Sequence, residues 1–97
     1  MSELLSKSEY ENLLDKLHTV DSSFIKAIGY VKADFGKPDQ GFILIQMMED
    51  SSVYAYFTRN WVYAKLCQQE KTGGSIGLIY NKYIRGSRNS FRVIHHD

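Results

Sequence analysis

The sequence predicts an antiparallel α+β domain: a helix, three strands, a second helix and two more strands, forming one unit over residues 1–97. Three observations predict it. Apolar residues recur at spacings of three and four near the N-terminus, and at alternate positions through the middle of the chain. Clusters rich in Gly, Pro, Asp and Ser interrupt these runs at short intervals. No repeat, low-complexity tract or linker divides the chain.

Residues 6–18 form the first helix. Ser6 with Glu9, and Ser8 with Glu11, each fit a capping box, in which a hydroxyl and a carboxylate satisfy the free amides of a first turn. Tyr10, Leu13, Leu14 and Leu17 make one apolar stripe, and the opposite face is acidic. Phe24 to Ala33 is the first strand, lying between Asp21-Ser22-Ser23 and the turn residues Gly36-Lys37-Pro38-Asp39. Lys26, Tyr30 and Lys32 occupy its even positions, and Gly29 at its centre marks a bend or bulge.

Gly41 to Met48 is the second strand, apolar on both faces. Val53 to Phe57 is the third. It alternates Val53, Ala55 and Phe57 with Tyr54 and Tyr56, so the two sets point to opposite sides. Thr58-Arg59-Asn60 stops this strand. Trp61 to Glu70 then has helix-forming composition and ends at Thr72-Gly73-Gly74. Trp61, at the helix start, reads as a core anchor. Ser75 to Arg85 is the fourth strand, residues 86–89 are a turn, and Ser90 to His95 is the fifth.

Three features of this layout resemble the OB-fold superfamily over residues 22–96. Gly29 would let the first strand curl, the helix Trp61–Glu70 falls between strands three and four, and Gly73-Gly-Ser-Ile-Gly-Leu-Ile-Tyr80 is similar to a fourth strand following its turn. The resemblance implies a small five-stranded OB-like barrel behind an N-terminal amphipathic helix. It also implies an oligonucleotide surface on the exterior of strands two and three. A double-stranded-RNA-binding layout would leave the last two strands over, and a ferredoxin-like one would need a helix between the first two strands.

Composition narrows the function classes. Of the 97 residues, 43% are hydrophobic and 24% charged, the balance of a soluble globular chain. The single cysteine, Cys67, excludes an internal disulfide and a multi-thiolate zinc site. The apolar runs are too short for a membrane span, and the N-terminus lacks the basic and apolar regions of a secretory signal. The expected location is the cytoplasm.

Charge is unevenly divided. Residues 1–50 hold five basic and nine acidic side chains, whereas residues 51–97 hold seven basic and two acidic. No carboxylate occurs between Lys71 and His96. Either an anionic partner meets the basic half, or the acidic helix packs beside the basic hairpin and neutralises it.

No catalytic constellation emerges. His95-His96 would point to opposite faces of a strand, so the two do not converge on a metal. Cys67 shares its helix with Val62, Tyr63 and Leu66 and reads as a small buried hydrophobe. Gly73-Gly74-Ser75 lacks the Gly-Lys-Ser/Thr of a phosphate-binding loop. The expectation is a non-enzyme with no cofactor and no metal.

Binding is better supported. Single strands are held by cationic grooves and by aromatic rings on which bases stack. Tyr54 and Tyr56, with Phe42 beside them, supply rings; Lys82, Arg85, Arg88 and Arg92 supply a basic hairpin; Lys26, Tyr30 and Lys32 add a further basic and aromatic face. The expected partner is a single-stranded nucleic acid, DNA ahead of RNA, as for an accessory replication or recombination factor. A competing placement puts Tyr54 and Tyr56 under the N-terminal helix. The alternative function is a small protein-interaction module, an adaptor or inhibitor of the kind mobile elements carry. It would use Phe42, Leu44 and Met48 together with the acidic helix. A homodimer is compatible with both.

Overall fold

Among the described residues, six strands form a single open sheet in the order β1-β6-β5-β4-β3-β2. The computed structural model describes residues 2–5, 7–33, 36–49, 52–85 and 90–95, with side chains for 10–33, 36–49, 52–85 and Val93. The strands are β1 (Ser2–Leu5), β2 (His18–Thr19), β3 (Ile25–Lys32), β4 (Gln40–Met47), β5 (Val53–Arg59) and β6 (Ser90–His95). The central four, β3 to β6, each run antiparallel to their neighbours among them; β1 adds parallel to β6, and β2 adds antiparallel to β3.

Helices cover both sides. Helix α1 (Lys7–Leu14) lays Tyr10, Leu13 and Leu14, with Leu17 just beyond, on a face made by Leu44, Val53, Ala55 and Val93. On the other face lie helix α2 (Asn60–Thr72), the short α3 (Ile76–Ile79) and a π-helical turn (Tyr80–Ile84). They bury Val62, Leu66, Ile76, Tyr80 and Ile84 against Ile25, Ile28, Ile43, Ile45 and Tyr56. The run Phe42-Ile43-Leu44-Ile45 is apolar at every position because β4 sits between both helical layers. Ile43, Leu44 and Ile45 are each no more than 1% exposed.

The α+β class and the antiparallel pairing of the predicted strands at 24–33, 41–48, 53–57 and 90–95 are present. Three expectations are corrected. Residues 75–85 are helical, not a strand. Ile76, Tyr80 and Ile84 recur every four residues and are buried, while Leu78, Asn81, Lys82 and Arg85 are exposed; this is a helical period despite β-favouring side chains. The Ser75 hydroxyl accepts from the Leu78 amide at 3.3 Å and starts α3. Without that strand there is no final hairpin, and the sheet stays open between edges β1 and β2 instead of closing as the OB resemblance implied.

The first helix is also shorter than 6–18. It ends at Leu14, and the chain turns so that His18–Thr19 pairs with Ala27–Ile28. Ser6 of one capping box lies outside the described residues. Ahead of the helix, Ser2–Leu5 is a strand, paired with residues 92–95.

Two local devices fit the layers together. A β-bulge between Ile25 and Ala27 puts Ile25 and Ile28 in the same core. The exposed His18 Nε2 meets Glu70 Oε1 at 3.1 Å, tying β2 to α2.

Candidate nucleic-acid interface

Helix α2 starts against the turn before β4. The Asn60 amide donates to the Asp39 carbonyl at 2.7 Å, and Arg59 Nη1 donates to Asp39 Oδ2 at 2.7 Å. These contacts stand in for a side-chain cap, which Arg59 does not provide. The guanidinium beside Asp39 holds its carboxyl below the usual value of 3.8. The C-terminus of α2 is closed by Gly73, in left-handed conformation at φ 74, with amides of Gly73 and Gly74 returning to Glu70 and Gln69 carbonyls.

This anchoring fixes the rotation of α2. Val62 and Leu66, four apart, point into the core, so Trp61 and Lys65, also four apart, point outward. Trp61 is 44% exposed, which removes it from the core role predicted for it. The π turn closes with the Arg85 amide donating to the Tyr80 carbonyl at 2.8 Å, five residues back. With Tyr80 and Ile84 inward, Tyr83 is set beside Trp61: the rings meet edge to face, centroids 5.3 Å apart at 85°. Lys65 Nζ lies 5.9 Å and Lys82 Nζ 5.2 Å from the Tyr83 centroid. Two ammonium groups thus lie within 6 Å of one ring centroid, each drawn to the negative face of the ring.

The predicted site residues do not converge. Tyr54 and Tyr56 lie on the face covered by the C-terminal helices and not beneath α1. The Tyr56 ring is 7% exposed, its hydroxyl 3.0 Å from that of Tyr80, and burial first, then that hydrogen bond, push its ionisation well above the usual 10. Tyr54 is half-buried. Tyr30 stacks on Tyr63 of α2 at 5.4 Å, and burial raises its ionisation, helped by the charge of Asp39. Phe42 is on the opposite side of the sheet from the two tyrosines. It packs on Phe57 at 5.3 Å and against the α1 layer, because β4 pairs Phe42 with Phe57 and Ile43 with Tyr56.

Lys26 and Lys32 are exposed on β3, which neighbours the edge strand β2. Lys82 and Arg85 are exposed on the π turn. Arg88 lies outside the described residues. Arg92 is on β6 with its backbone opposite Tyr54, and its side chain is likewise outside them. The apolar strand face assigned to a protein partner is also corrected: Leu44 is 1% exposed and Phe42 half-buried beneath α1, leaving Met48 exposed alone of the three.

What the fold brings together instead is Trp61, Lys65, Lys82 and Tyr83, of which sequence reasoning had chosen only Lys82. The spacing of Trp61 and Lys65 opposite Val62 and Leu66 carried part of the signal. Tyr83 was hidden by reading residues 75–85 as a strand.

Among the described residues no group of three or more His, Cys, Asp or Glu side chains is placed to hold a metal, and no helix is long and apolar enough to cross a membrane. No protein-family model, curated protein or solved structure matches this chain.

Proposed function

We propose that this protein is a non-catalytic binder of single-stranded nucleic acid and that its contact surface is the patch formed by Trp61, Lys65, Lys82 and Tyr83. The observation that carries this reading is the exposed Trp61 set edge to face against the half-buried Tyr83, with two ammonium groups within 6 Å of the Tyr83 centroid. Indole and phenol faces take unpaired bases of any sequence, and the lysines neutralise the intervening phosphates. The absence of carboxylates from Lys71 to His96 keeps the C-terminal half of the surface cationic. The patch belongs to the helical layer, so the reading needs no barrel.

Trp61 is the only tryptophan, so its own fluorescence reports binding. Titration with oligo-dT at low salt is expected to quench it, and added salt to reverse the effect. The double substitution Lys65→Glu and Lys82→Glu should abolish binding, while Lys16→Glu, on the α1 side of the sheet, should leave it intact. Titration without quenching at low salt, or equal affinity in the double variant, defeats the proposal.

A further inference from the structure

A groove runs beside the patch, separated from it by the π turn. Its larger part encloses about 600 Å³ and is lined by Phe24, Met47, Met48, Tyr54, Tyr56 and Tyr80, with Glu49 at its rim. A second part of about 350 Å³ shares Phe24, Met47 and Tyr80 and ends at Asn81 and Arg85. The turn therefore presents Lys82 and Tyr83 to the patch, and Tyr80, Asn81 and Arg85 to the groove. We propose that this groove receives one unstacked base of the bound strand and that Arg85 holds the adjoining phosphate; the inference rests on the single-strand reading above.

The lining fits a base better than an aliphatic ligand. Phe24 and Tyr80 meet edge to face at 5.6 Å, and Tyr80 and Tyr56 at 6.0 Å, so the wall consists of packed rings, and Met47 also lines the groove. The Tyr56–Tyr80 hydroxyl bond holds these two rings in place behind the groove. Charge sets the direction. The exposed guanidinium of Arg85 stands at one end and the exposed carboxylate of Glu49 at the other, so a phosphate is drawn to the first and repelled from the second. A base can enter only if it is unpaired, so the groove would discriminate against duplex by the cost of unpairing and unstacking.

The test uses the intact protein with ¹³C-labelled methionine methyls. There are three methionines, two of which line the groove, while Trp61 reports the patch independently. Titration with oligo-dT at low salt should shift the Met47 and Met48 methyl signals upfield and give nuclear Overhauser contacts to thymine protons. The same titration should quench Trp61. An abasic oligomer should leave those methyls in place, and Arg85→Glu should remove the methyl contacts while preserving the folded spectrum.

Trp61 quenching with unmoved methyls overturns the groove proposal and leaves the patch standing. Methyl contacts without Trp61 quenching uphold the groove and overturn the patch. Silence from both probes overturns both. Equal methyl shifts from the abasic oligomer also overturn the groove proposal.

Discussion

The hydroxyl oxygens of Tyr56, on β5, and Tyr80, opening the π turn, lie 3.0 Å apart within the core. This bond couples the sheet to the segment that presents Tyr83. Either phenol truncated alone leaves a buried hydroxyl without a partner, at a cost of about 1–3 kcal/mol, whereas removing both leaves none. Tyr56→Phe and Tyr80→Phe are each expected to destabilise by that order, and the double variant by less than their sum. Urea unfolding of the four proteins measures the coupling, and strict additivity would show that the bond contributes nothing.

Gly29 allows the turn after α1 to approach the sheet. A Cβ there would fall 2.5 Å from the Lys16 carbonyl oxygen and 3.2 Å from Leu17 Cδ2. Because the nearer obstacle is backbone, Gly29→Ala should displace the turn that follows α1 and cost about 1–3 kcal/mol. Gly73 is needed for a different reason: a Cβ meets nothing within 4 Å, but φ is +74. Gly73→Ala should cost about 1 kcal/mol through backbone strain alone. Denaturation midpoints separate the two, and a neutral Gly29→Ala would contradict the packing described.

Stability should fall in alkali. Burial pushes the Tyr63 phenol up to about 12, with its hydrogen bond to Cys67 adding, and raises Tyr56 too. A folded value above the unfolded value of about 10 means that the contribution is complete below pH 10 and is lost as pH rises through the folded value. Unfolding free energy is therefore expected to be insensitive to these groups from pH 7 to 9 and to decline above pH 10. Tyr63→Phe should shallow that decline, as followed by denaturant titration at each pH.

In acid the sign reverses. Arg59 lowers the Asp39 carboxyl below 3.8, so its contribution is present above that pH and disappears as pH drops through the folded value. Asp39→Asn should flatten the acid limb of the stability profile. The effect is expected to be small and salt-sensitive because the pair is exposed.

Binding should carry a salt signature. Each phosphate neutralised on a single strand contributes about −0.7 to the slope of log affinity against log salt. Lys65→Ala and Lys82→Ala are each expected to reduce the slope by about that amount. Trp61→Ala should instead weaken binding about tenfold to a hundredfold through loss of one stack worth ~1–3 kcal/mol, with the slope unchanged. Fluorescence anisotropy of a labelled oligonucleotide over a salt series measures both quantities.

The sequence by itself determined the α+β class, the positions of β3, β4, β5, α2 and β6 to within a few residues, and the partition of Val53, Ala55 and Phe57 from Tyr54 and Tyr56. These follow from local periodicity and turn chemistry. It did not determine which set would meet water. Both sides of the sheet are covered, by α1 over the aliphatic set and by α2 with the π turn over the tyrosines, and that depends on contacts between residues distant in the chain. Tertiary contacts also overrode the β propensity of residues 75–85, because the helical period puts Ile76, Tyr80 and Ile84 together on one face that is buried against the sheet. Only that helical geometry turns Tyr83 toward Trp61, so the aromatic and cationic patch is a product of packing between segments some twenty residues apart.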